Sequence, residues 1–162
     1  MRIDGGELWA LLRRLDDPAH LETPQGFDWE AARRQFDDLV SGLNTAFGTD
    51  CGADRSVQDA TFHAQVIVPG DATATGRDLL VRVSNFGNLA VLALVNPGAY
   101  DQEEFDALVH QNDVARISKS LDEGNYNLVP EAPLWRPYDG RVPAGVFLPN
   151  KPSWWTRYFD YL

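Results

Sequence analysis

The alternation of apolar and polar positions is clearest between Asp78 and Val95, DLLVRVSNFGNLAVLALV. Leu79, Val81 and Val83 alternate with Leu80, Arg82 and Ser84, the period of a β-strand. Leu89 to Val95 is apolar on both faces, which places that strand inside a sheet. Between them Asn85-Phe86-Gly87-Asn88 supplies the turn chemistry of a hairpin. Upstream, Val57 to Val68 has the same period. Ala60, Phe62, Ala64, Val66 and Val68 fall on one face; Asp59, Thr61, His63 and Gln65 fall on the other. Tyr126 to Val129 reads as a fourth strand.

Helical spacing appears on both sides of this block. Leu8, Leu11, Leu12 and Leu15 line one face of a helix over residues 4–15, with Asp4 as its cap and Glu7 as the reciprocal partner. Asp28 caps a second helix running to Phe47. Its stripe is Trp29, Ala32, Phe36, Leu39, Val40, Leu43 and Phe47, and Gly48 ends it. A third helix starts at Asp101, with Glu104 as capping-box partner, and ends at Gly124. Its two apolar stripes are out of phase, which predicts a break near Gln111-Asn112-Asp113. Residues 49–56 read as loop.

After Val129 the texture changes. Six of the ten prolines, at 130, 133, 137, 143, 149 and 152, predict an irregular loop. The stretch SWWTRYFDYL then favours a strand, because Trp, Thr, Tyr and Phe suit a pleated surface. Trp155, Arg157, Phe159 and Tyr161 would share one face; Trp154, Thr156 and Tyr158 the other. A helix started by Ser153 is the competing reading. The expected architecture is a two-layer α+β domain: a four- to five-stranded, mainly antiparallel sheet with helices on one face. We read residues 1–162 as one domain. Its parts are a helical portion over 1–48, a sheet core over 57–129, and a proline-rich loop and aromatic strand over 130–162.

Charge alters this picture more than composition does. The formal charge is −10, spread as −5 over residues 1–50, −1 over 51–100 and −4 over 101–162. A field of that sign disfavours nucleic acid and attracts basic proteins. The single cysteine, Cys51, allows no intramolecular disulfide and fits a reducing compartment. The chain shows neither a leader pattern nor a membrane-length apolar run, so the cytoplasm is the expected location. Arginine outnumbering lysine, with abundant Ala, Gly and Asp, suggests a GC-rich bacterial source.

The chemical motifs are few. The three histidines are scattered, and no HExxH, CxxC, GxGxxG, P-loop or GxSxG pattern occurs, so neither metal nor cofactor is expected. Asp71 to Gly76 starts like a calcium loop but has Arg82 where the bidentate carboxylate belongs. Asp50 and Asp54 beside Cys51 oppose a thiolate. Two constellations remain. On the polar sheet face, Asp59, His63, Arg82 and Ser84 together offer an acid, a base, a cation and a hydroxyl, the parts of a small hydrolase or transferase. At the aromatic end, Trp135, Arg136, Tyr138, Asp139, Trp154, Trp155 and Arg157 have the composition of a protein-binding hot spot. The leading expectation is a non-catalytic interaction protein that masks a basic partner, in the manner of an immunity protein. A sheet-face enzyme built on His63 and a small-ligand-binding module are the alternatives.

Overall fold

The computed structural model describes residues 1–147 and 151–162. Pro149 of the expected loop lies outside the described residues. The order of elements is α1 (Gly5–Leu15), α2 (Trp29–Phe47), β1 (Gly52–Asp54), β2 (Phe62–Val68), β3 (Leu79–Ser84), β4 (Leu89–Leu94), α3 (Gln102–Leu108), α4 (Gln111–Glu123), β5 (Asn127–Val129) and α5 (Trp154–Phe159). Short 3-10 turns span Gly70–Ala72 and Ala132–Trp135.

The fold is α+β, and the strands form one sheet in sequence order. β1 to β4 are antiparallel neighbours, and Val81 of β3 pairs with Leu92 of β4. The β3–β4 turn depends on Gly87 (φ 59°) and Asn88 (φ 53°). Two consecutive left-handed residues match the twist of the flanking strands. β5 pairs parallel to β4, because α3 and α4 carry the chain back to the starting end of the sheet before β5 begins.

Alternation along β4 divides the core in two. Ala90, Leu92 and Leu94 meet α2 and α4, joined by Val66, Val81 and Val83 of the neighbouring strands. Leu89 and Val91 point the other way, toward α1, α5 and Leu134. The helices expected over one face are there, and a second helical layer covers the other. That layer is why every residue of β4 is buried.

Local sequence accounts for most boundaries. Asp4 accepts from the amides of Gly6 and Glu7, and Asp28 accepts from Ala31. Asp101 and Glu104 form the expected capping box. The expected break separates α3 from α4, where His110 caps the new helix by accepting from Asn112. Residues 49–56 contain β1, a three-residue edge strand too short and polar to show a period.

The end of the chain requires a correction. Residues 154–159 are helix, not strand. The Ser153 hydroxyl accepts from the Thr156 amide at 3.3 Å, and the Thr156 hydroxyl accepts from the Ser153 amide at 3.1 Å. This reciprocal cap outweighs the β preference of the side chains. All six helical residues are buried, so the segment has neither a polar stripe nor an alternation to betray its type.

Candidate functional site

The four groups proposed for a sheet-face enzyme are not brought together. The β2–β3 register shifts between Phe62 and Ala64, and His63 is the extra residue. A bulge of this kind re-aims side chains. His63 therefore lies against Phe36 of α2 and against Phe27, with ring centroids 6.4 and 5.8 Å away. Arg82 stays on the opposite face. Its guanidinium lies over Phe62 at 4.1 Å and donates to the Phe159 carbonyl at 2.7 Å and to Gln65 at 3.0 Å. It closes the carboxyl end of α5, where a cation is favoured. Ser84 is buried, donating to the Thr61 carbonyl and accepting from the Phe86 amide. Asp59 sits in the turn before β2 with φ 51°, and its carbonyl accepts from Leu162.

His63 is oriented by Asn85 rather than by Asp59. The Asn85 amide nitrogen donates to the carbonyls of Glu22 (2.8 Å) and Ala60 (3.1 Å). Its oxygen therefore faces His63 Nδ1, 3.0 Å away, and accepts from it. The proton is thereby assigned to Nδ1, leaving a lone pair on Nε2. Nε2 is buried and has no partner among the described residues. Burial pushes the imidazole below its ordinary pKa, opposed by the Asn85 bond.

That direction sets a pH dependence. An unfolded histidine takes up a proton near 6.5, whereas folded His63 resists it. Stability is therefore complete above about pH 6.5 and falls as pH drops toward the folded-state value. In urea titrations from pH 7.5 to 5, His63→Gln should show a shallower loss than the natural chain. Equal slopes would contradict the assignment.

The aromatic end does not form the outward patch expected of it. Trp154 and Arg157 are fully buried, Trp155 is 2% exposed and Tyr138 is half-buried. As a helix, the segment packs its rings into the second core instead of sending alternate ones outward. Arg157 is tied to Asp16, and Asp139 pairs with Arg13 at 3.0 Å and accepts from Trp154 Nε1. Arg136 is exposed, lies over Trp9 and pairs weakly with Asp139. Trp135 alone of the four tryptophans and tyrosines proposed as partner contacts is exposed, at 38%. Cys51 is buried beside β1, and burial, then Asp50, push its thiol pKa up.

Trp135 is held firmly. It stacks on Trp155 with centroids 4.8 Å apart and planes 16° from parallel. Its Nε1 donates to Glu131, which also accepts from the Gly98 amide at 2.7 Å. Its ring lies on Gly98 (φ 86°), where a Cβ would come within 2.8 Å of the indole. Gly98 thus serves both the left-handed turn and the close approach.

Beside this tryptophan stands α3, the segment before the expected break in the third helix. None of its residues is buried. Asp101, Glu103, Glu104 and Asp106 are exposed, and none makes an ion pair among the described residues. No lysine or arginine occurs between Arg82 and Arg116. Arg2, Tyr100, Asp101, Phe105 and Glu131 line one depression, so Asp101 at the start of α3 shares it with the Glu131 that holds Trp135.

The chain matches no protein-family model, no curated protein and no solved structure. The functional reading therefore rests on geometry. Among the described residues, no three His, Cys, Asp or Glu side chains are grouped to hold a metal ion. No described helix is long and apolar enough to cross a membrane.

Proposed function

We propose that this is an acidic protein-binding domain of the bacterial cytoplasm, an immunity-type inhibitor that masks a basic partner protein. The observation that carries the reading is the pre-anchored, half-exposed Trp135 beside the unpaired carboxylates of α3. Uncompensated carboxylates steer a basic partner into encounter. A tryptophan already fixed by stacking and by Glu131 loses little freedom on binding, which favours a hot-spot role. The side chains that suggested catalysis are committed elsewhere: Ser84 to backbone bonds, and Arg82 to the end of α5.

The test is association with the product of a neighbouring gene, where that product is basic. The natural complex should weaken steeply with salt. Glu103→Lys combined with Asp106→Lys should slow association by about 10- to 100-fold. Trp135→Ala should instead speed dissociation. A complex indifferent to salt and to all three substitutions would refute the proposal.

A further inference from the structure

A second concavity has His63 among its lining residues. A cleft of ≈ 410 Å³ opens between the first turns of α2 and the segment joining β1 to β2. Trp29, Arg33, Phe36, Arg55, Asp59 and His63 line it. We propose that this cleft binds a small planar aromatic molecule carrying a hydroxyl donor at one end and a carboxylate at the other. This proposal is independent of the protein-binding face at Trp135.

The size is that of a small-ligand pocket, and Trp29, Phe36 and His63 put rings among its charged and polar lining residues. Trp29 opens the apolar stripe of α2 but does not join the core. It remains 50% exposed, held edge-on to Phe27 at 4.8 Å. Phe36 lies at the base, 1% exposed, with the Arg55 guanidinium over its ring 5.4 Å from the centroid. The exposed Trp29 ring offers a face to a flat ring.

His63 specifies the donor. The Asn85 clamp makes Nδ1 the protonated nitrogen, so Nε2 can only accept. An unmet buried acceptor is costly, and a bound hydroxyl would recover that cost. Nε2 is buried, so a donor reaches it only once a ring packed on the imidazole, such as that of Phe27, shifts.

Arg33 specifies the anion. It stands one turn along α2 from Trp29, on the same face. It is exposed and makes no ion pair among the described residues, whereas Arg55 is engaged by Asp37 at 2.7 Å. Glu22 and Asp59 on the remaining rim repel a carboxylate and so orient it toward Arg33. These four charges and His63 are the titratable groups facing the ligand. Protonation of His63 removes the lone pair, so affinity falls as the solution is acidified.

The experiment compares 4-hydroxyphenylacetate with phenylacetate, which lacks the donor, following tryptophan fluorescence and the His63 ring signals by NMR. The hydroxylated acid should bind saturably and about tenfold tighter. His63→Phe should erase that preference, His63→Gln should retain part of it through its amide oxygen, and Arg33→Gln should weaken both acids. Equal affinities for the two acids would mean that Nε2 is satisfied by water alone and would overturn the proposal. So would absence of saturable binding, or an unchanged preference in folded His63→Phe. Should His63→Phe fail to fold, the ratio measured on the natural chain decides.

Discussion

Arg157→Ala should lower the unfolding free energy by about 3–5 kcal/mol, a large share of the roughly 5–15 kcal/mol typical of a domain. The guanidinium is fully buried, and its Nε donates to Asp16 at 2.8 Å. Its other nitrogens donate to the carbonyls of Leu21, Asp17 and His20, which shapes the loop after α1. Its Cζ lies 4.5 Å from the Phe86 ring centroid and 5.0 Å from that of Tyr158. Asp16 in turn accepts from the Tyr138 hydroxyl at 2.6 Å and from the Arg141 amide at 2.8 Å. One ion pair thus joins α1, the loop behind it, the proline-rich segment and α5. Truncating the arginine leaves a buried carboxylate without its cation and three carbonyls without a donor. That asymmetry makes breaking such a pair expensive even where forming it contributes little net stability. The measurement is urea unfolding, with the double variant Asp16→Asn/Arg157→Met as control. The double variant should lose less than the sum of its single variants, because neither charge is then stranded. A loss below about 1 kcal/mol for Arg157→Ala would mean that the pair is open to water in solution.

Legibility followed the extent to which one physical signal dominated each segment. α2 has a long stripe, a capping aspartate and a terminating glycine, all in agreement, and it lies where its sequence places it. The β3–β4 hairpin was readable for the same reason. The bulge at His63 was not. A single extra residue leaves no trace in an alternating pattern, yet it separates His63 from Arg82 and dissolves the proposed catalytic group. α5 misled because its two signals conflicted. Trp, Thr, Tyr and Phe suggest a strand, while Ser153 and Thr156 form a cap whose second member is a threonine instead of the usual Glu or Gln. Burial on all sides then removed the periodicity that would have arbitrated. The acidic character of the chain was plain from its composition. Its concentration on α3 could have been read from the empty interval between Arg82 and Arg116. The tryptophan beside it needed the fold, since 3-10 geometry and Gly98 bring Trp135 there.

Trp154→Ala and Trp135→Ala test this distinction between a packed ring and a presented one. Trp154 has no exposed surface. It stacks near Tyr158 at 6.1 Å, leans on Tyr138 at 4.8 Å, meets Trp9 edge-on at 6.1 Å, and donates from Nε1 to Asp139. Removing it opens a cavity bounded by α1, α5 and the proline-rich segment, which the Asp16–Arg157 network ties together. The expected loss is about 3–5 kcal/mol in urea unfolding, as for other buried large-to-small changes. Had residues 154–159 been an edge strand with Trp154 on its outer face, the cost would be about 0.5 kcal/mol or less. Trp135 keeps 38% of its surface in water and rests on Trp155 from outside. Its removal should cost markedly less stability while weakening capture of a basic partner. A Trp154→Ala chain of unchanged stability would contradict the helix. A Trp135→Ala chain that binds normally would leave the tryptophan with only a packing role, and the acidic face of α3 without its anchor.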